Sequence, residues 1–381
     1  MRIAIVRRIC SLKKAGAERY CVNLFRQLQR LGHDVTIVGE AIDDELRHEV
    51  AFLPVPVLRL TSWTRNRSFY ENAARVTQAG QFDVVHGLSR VGGLDTYRLT
   101  DPLQTHWLRV YYRGGWQRSL QQWNPRHRTL LDIERKLFGP QGPRRIIVQS
   151  HLDARLLTEY FGVGEHRLRR VPNGVDLSVF SPDDGEDRDV IRTELGLSAE
   201  QPLLVFASMD FRRKGLDSLL QSLARIERRE AQLIVLGDGD IAGYRHRAEQ
   251  LGVGQRVAFL GRQSQMRRYY RAGDLFVLPT IYEPFPNVNL EAMACGMPVI
   301  TTATAGGADI VQEGVNGALI PDAWAVDELT DRMNRLLSQS VSDRDQMAAE
   351  CVATARQFPV ERNAREVAAV LEEAYRDKLS A

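Results

Sequence analysis

The chain is poor in cysteine and in lysine, and it has no long apolar run. Only four cysteines occur, Cys10, Cys21, Cys295 and Cys351. None makes a Cys-x-x-Cys pair, which excludes a zinc ribbon and a thioredoxin-type motif. So few in 381 residues point to a reducing compartment. No stretch approaches the roughly 18 consecutive apolar residues of a membrane-spanning helix. The apolar run at residues 3–6 is far too short for a secretion signal. The expected location is therefore cytoplasmic, with attachment to a membrane surface left open. Lysine is confined to Lys13, Lys14, Lys136, Lys214 and Lys378, so nearly every cation is an arginine. No Gly-x-Gly-x-x-Gly follows the first strand, which disfavours a dinucleotide oxidoreductase.

What is present is an ordinary globular composition, with 44% hydrophobic and 26% charged residues. That excludes a disordered, collagen-like or coiled-coil chain. The length suggests two domains. The net charge of +3 conceals an asymmetry, because residues 1–170 carry 28 Lys+Arg against 16 Asp+Glu and residues 171–381 carry 23 against 32. A basic half is thus joined to an acidic half.

Short apolar strands alternate with amphipathic helical stretches. Strands are expected at Arg2–Val6, 35–38, 83–86 and 146–149, and a helix at 16–31 with Val22, Phe25 and Leu28 on one face. After turn residues at 172–176 and a polar, flexible stretch at 181–187, strands recur at Leu203–Ala207, Gln232–Leu236, 257–260, Leu275–Leu278 and Val299–Thr302. This is the βαβ rhythm of parallel sheets. It predicts an α/β fold of two Rossmann-like, doubly wound domains facing each other across a cleft, with ligands beyond the carboxyl ends of the strands. The expected division is 1–172, 173–359, and a last helix from 360 that would pack back on the first domain.

Three segments carry chemistry. In Tyr282-Glu283-Pro284-Phe285-Pro286-Asn287-Val288-Asn289-Leu290-Glu291, the prolines keep Glu283 in a loop and Asn287 reads as the N-cap of a helix running to Cys295. A helix start behind a loop suits a diphosphate. Eight residues of straight helix would separate the two carboxylates by ~12 Å, beyond the roughly 5–5.5 Å of a retaining-hydrolase pair. Glu283 and Glu291 therefore read as two separate contacts. In Asp210-Phe211-Arg212-Arg213-Lys214-Gly215, a guanidinium fork and a point charge at a strand end can neutralise a leaving diphosphate. Gly16 lies between the first strand and first helix. Asp238-Gly239-Asp240 spells Asp-x-Asp but reads as a turn, and no metal is expected.

Together these segments resemble family 4 glycosyltransferases, which have the GT-B fold. Ala15 stands where that family usually has the first glycine of a pair. The stretch Gly92-Gly93-Leu94-Asp95-Thr96-Tyr97 through Asp101 resembles the branch of lipopolysaccharide core glucosyltransferases. The resemblance implies a retaining, metal-independent enzyme, a nucleotide-sugar donor (UDP-glucose in that branch) and a glycolipid acceptor. It implies donor contacts from Gly16, Arg213, Lys214, Glu283, Phe285, Pro286, Asn287, Val288 and Glu291, with Arg213 and Lys214 also catalytic. Asp101 or His106 would be the group acting on the acceptor hydroxyl.

Residues 106–136 hold seven cations against two carboxylates, and three of the five tryptophans, Trp107, Trp116 and Trp123. Cationic and aromatic side chains suit an anionic membrane interface, so Trp107, Arg109, Arg113, Trp116 and Arg118 are expected to touch membrane or acceptor. Nucleic acid as a partner is disfavoured by the acidic second half. Two other readings stay open: a mannosyl or N-acetylhexosaminyl transferase of the same family, and a non-catalytic two-domain ligand-binding protein.

Overall fold

The apolar runs become strands buried on both faces, as parallel sheets covered by helices require. The computed structural model describes residues 1–12, 16–182 and 186–380; Ala15 and the expected flexible residues 183–185 lie outside the described residues. One compact unit consists of Met1–Pro172 with the returning C-terminal segment from Val360, the other of Asn173–Pro359.

The first unit contains a seven-stranded sheet. Its order is Ala51–Pro54, Asp34–Gly39, Arg2–Val6, Val84–Gly87, Thr96–Arg98, Arg145–Val148 and Leu168–Arg170, all parallel. The second holds a six-stranded parallel sheet in the order Val257–Gly261, Gln232–Leu236, Leu203–Ala207, Leu275–Leu278, Val299–Thr302 and Gly317–Ile320. In both, the chain starts in the middle, winds to one edge and then to the other, which is the doubly wound plan expected from sequence.

Four of these strands escape the sequence pattern: Ala51–Pro54, Thr96–Arg98, Leu168–Arg170 and Gly317–Ile320. Each has only three or four residues, and two contain arginines. Arg98 is wholly buried. It is tolerated because it donates to the Val171 carbonyl at 3.0 Å and lies 4.6 Å over the Tyr20 ring.

The helix Ala17–Arg30 buries Cys21, Val22, Leu24, Phe25 and Leu28 against the first sheet. The final helix, Val360–Leu379, sets Val367 and Leu371 into the same core. Polar ties fix its outer face: Glu373 with Arg145 (3.0 Å) and Arg169, and Lys378 with Asp95 at 3.1 Å.

Candidate active site

In the second unit, two loops at the carboxyl ends of adjacent strands converge. Arg213 and Lys214 follow Leu203–Ala207, and Glu283 follows Leu275–Leu278. Glu283 Oε2 accepts from Arg213 Nη1 at 2.6 Å and from Lys214 Nζ at 2.8 Å. Burial by itself would raise the Glu283 carboxyl, but Lys214 and Arg213 outweigh it and hold it below the usual range. Burial, together with the neighbouring Arg213, lowers Lys214 against the pull of Glu283.

The backbone fixes this triad. Ile281 N–H donates to the Arg213 carbonyl at 2.9 Å, and Gly306 N–H to the Glu283 carbonyl at 2.8 Å. Gly215 has φ +78°, and a Cβ there would lie 2.0 Å from the Pro279 carbonyl oxygen. Both conformation and space therefore demand glycine immediately after Lys214.

The helix Asn287–Ala294 starts one residue earlier than expected: Pro286 is its N-cap and no side chain caps it. Asn287 is the first helical residue, and its side chain accepts a hydrogen bond from Asn173 instead. The proline's fixed φ sets the entry. No side chain takes up the first backbone N–H groups of this helix, though Asn289 N–H donates to the Pro286 carbonyl at 3.1 Å. Phe285 is buried, Val288 partly so. One turn in, Glu291 accepts from the buried Tyr270 hydroxyl at 3.2 Å, a partner that the sequence pattern does not signal. Gly296, at φ +84°, ends the helix.

In the first unit, Gly16 caps Ala17–Arg30 with φ +70° and ψ −127°, and a Cβ there would meet no protein atom within 4 Å. Conformation rather than crowding selects this glycine. Arg7, after the first strand, is buried. It donates to the Leu88 carbonyl (2.8 Å) and to Glu18 (3.1 Å) and lies 3.8 Å from Asp101. Burial would lower its guanidinium, yet Asp101 and Glu18 together raise it. Asp101 keeps 40% of its side chain exposed.

His106 is placed differently. Its Nδ1 lies 2.9 Å from the Tyr160 hydroxyl, and burial, with Arg109 and Arg155 nearby, pushes it down to about 4. The backbone start of its helix, Gln104–Tyr111, donates to the buried Glu134 carboxylate: Gln104 N–H at 2.6 Å and Thr105 N–H at 3.0 Å. Arg90 binds Glu134 at 3.1 Å and also the Pro102 carbonyl. Neither Arg7 nor Glu134 was singled out by sequence; a cation directly after the first strand was the available signal.

The family model described as Glycosyltransferase Family 4 matches residues 15–179, and that described as Glycosyl transferases group 1 matches 187–358. The chain belongs to the family 4 glycosyltransferases. It is 24% identical to the lipopolysaccharide glucosyltransferase WaaG of Escherichia coli (strain K12), over 85% of this chain and 87% of that protein. The crystal structure of a WaaG involved in lipopolysaccharide biosynthesis superposes with a TM-score of 0.84 at 22% identity, covering 97% of this chain and 99% of that one. Anabaena HepE, solved in complex with UDP and glucose, gives 0.75 at 20% identity, covering 98% and 100%. These likenesses place the two Rossmann-like sheets in the GT-B fold.

Other positions of this family 4 chain have plain structural roles. Asp240 caps the helix Ile241–Gln250 by accepting from Gly243 N–H at 2.9 Å, and Asp238 pairs with Arg262 at 3.2 Å. The basic aromatic stretch forms three helices, Gln104–Tyr111, Gly115–Gln122 and Pro125–Phe138. Trp107 stacks on Tyr111 at 4.4 Å and is half-buried. Arg109 donates to Tyr160, Arg113 is exposed and Arg118 half-buried. Trp116 and Trp123 are the strongly exposed aromatics, at 69% and 77%.

Proposed function

We propose that this glycosyltransferase transfers a hexose, glucose from UDP-glucose, onto a lipopolysaccharide core or related glycolipid, with retention at the anomeric carbon and without a metal ion. The observation that carries this reading is the Arg213–Lys214–Glu283 cluster at the carboxyl edge of the second sheet. As the glycosidic bond to the nucleotide breaks, negative charge grows on the departing diphosphate. Two fixed cations in a half-buried place stabilise that charge. Glu283 orients both cations and has a second carboxylate oxygen for a sugar hydroxyl. The helix start at Asn287 and Val288 would meet the diphosphate, with Phe285 and Pro286 shaping the approach and Glu291 reaching the ribose. Asp101, exposed and beside Arg7, suits a group that receives or positions the acceptor hydroxyl. His106 is the rival, but Tyr160 already occupies one of its ring nitrogens. The likeness to WaaG, and the glucose and UDP bound in HepE, support the donor and acceptor classes.

The enzyme would act at the cytoplasmic face of an anionic membrane, held by the helix Gly115–Gln122 and its flanking arginines. No described helix is long and apolar enough to cross a membrane.

The test is nucleotide release from a panel of nucleotide sugars, with and without truncated lipopolysaccharide core. UDP release from UDP-glucose that rises with the core acceptor is expected. No release from any donor removes the transferase reading of this chain, and release from GDP-mannose alone turns it to a mannosyl transferase.

A further inference from the structure

Four arginines gather at the carboxyl edge of the first sheet: Arg7, Arg8, Arg59 and Arg65. Three carboxylates face them. Arg7 pairs with Glu18 and Asp101. Arg65 and Arg59 both pair with Glu40, whose side chain is 2% exposed. Arg8 is the remaining one. Its guanidinium donates to the Asn66 side-chain oxygen at 3.1 Å, and among the described residues it has no ion pair with a carboxylate.

The position of Arg8 is tightly set. Its N–H donates to Ser89 Oγ at 3.2 Å, and its carbonyl accepts from Glu40 N–H (2.8 Å) and Ala41 N–H (3.2 Å). Burial first, then the nearby Arg65 and Arg7, lower the guanidinium, while Glu40 and Asp101 act the other way. A half-buried cation held rigidly among other cations, without its own counter-ion, is short of one anion. The guanidinium fork matches a phosphate oxygen pair.

We infer that Arg8 forms an anion subsite beside Asp101 that recognises a phosphate group on the acceptor. This rests on the proposed glycosyl transfer and narrows the acceptor class to phosphorylated saccharides. The phosphate would sit on Arg8, neighbouring the acceptor hydroxyl that Asp101 receives. Specificity would arise because an acceptor without phosphate leaves the Arg8 charge uncompensated.

The experiment compares wild type with Arg8→Gln and Arg8→Lys, using truncated lipopolysaccharide core before and after phosphomonoesterase treatment. For wild type, the KM of the phosphorylated acceptor should be lower by about tenfold, the size of one charge-assisted contact. In Arg8→Gln this ratio should collapse to about one with donor KM unchanged, and Arg8→Lys should restore part of it. A ratio that persists in Arg8→Gln overturns the subsite. So does a raised donor KM with the ratio intact, since the anion is then the donor diphosphate. Inorganic phosphate, titrated into both proteins and followed by 31P NMR, gives a readout independent of turnover. Saturable binding to wild type that is lost in a folded Arg8→Gln supports the subsite even if the acceptor panel fails, whereas equal binding overturns it.

Discussion

At the scale of single residues, the Arg213–Lys214–Glu283 cluster makes asymmetric predictions. Lys214→Ala should lower kcat/KM by roughly 10²–10³, the usual loss for one donor aimed at developing charge. Glu283 retains Arg213 in that variant, so the melting temperature should change little. Glu283→Ala removes the shared anion and leaves two cations facing each other. It should reduce turnover and also destabilise, as breaking a buried pair does. Calorimetry beside initial rates separates the two patterns, and equal melting losses in both variants would contradict the shared-anion geometry. The acceptor side is decided by pH. His106 lies at about 4, so its imidazole stays neutral above about pH 5. An acid limb in kcat/KM near 6.5 that disappears in His106→Gln would contradict this assignment. With Asp101 as the acting group, Asp101→Asn should cost more than His106→Gln, on the order of 10²–10⁴ as for other acid–base groups.

Elements set where these residues stand. The loop from Ser208 to Gly215 keeps Lys214 against Glu283 only if the chain turns left-handed directly afterwards. Gly215→Ala should therefore cost roughly 1–2 kcal/mol for conformation alone, and more from the close approach to Pro279, which urea denaturation measures. On the helix Gly115–Gln122, exposed Trp116 and Leu120, with Trp123 just beyond, make an apolar edge. Trp116→Ala with Trp123→Ala should weaken sedimentation with anionic vesicles, and added salt should weaken it further through screening of the flanking arginines. Binding indifferent to both changes would refute membrane attachment by this helix. Leu58 and Leu60 are also exposed, at 59% and 84%, before the helix Ser62–Ala79. They interrupt no periodic pattern, so the sequence does not signal their exposure.

For the whole molecule, acid sensitivity follows from the first unit's core. His86 is wholly buried, its Nδ1 2.7 Å from the Thr96 hydroxyl. Burial, with Arg98 nearby, pushes it down to about 3 from 6.5. Below pH 6.5 the unfolded chain takes up a proton that the folded chain refuses. Stability should therefore fall as the pH drops from 6.5 towards 3, by up to about 1.4 kcal/mol per pH unit from this group. Urea midpoints at pH 7 and pH 4.5 should differ less in His86→Gln than in wild type; equal differences would refute the assignment. The charge asymmetry has a related reading at this scale. The unit with the excess of arginine contains Arg8 and the exposed tryptophans, and the acidic unit gathers Arg213 and Lys214 around Glu283.

Sequence alone determined the α/β class, the doubly wound plan and the motifs that mark the family. Buried parallel strands must be apolar throughout, and loops that hold phosphate and sugar use distinctive glycines, prolines and charges at short spacing. Those signals are local and survive in one dimension. Tertiary structure decided which charges meet. Glu283 and Lys214 stand 69 residues apart, in two separate motifs, yet Lys214 and Arg213 both donate to one oxygen of Glu283. Thr96–Arg98, within the stretch that resembles the glucosyltransferase branch, is a strand whose arginine is stabilised by Val171 and Tyr20 from distant positions. The pairing of Arg7 with Asp101, and the absence of such a partner for Arg8 among the described residues, depend on which strands lie side by side. Strand order is fixed by long-range packing, to which no single stretch of sequence gives access.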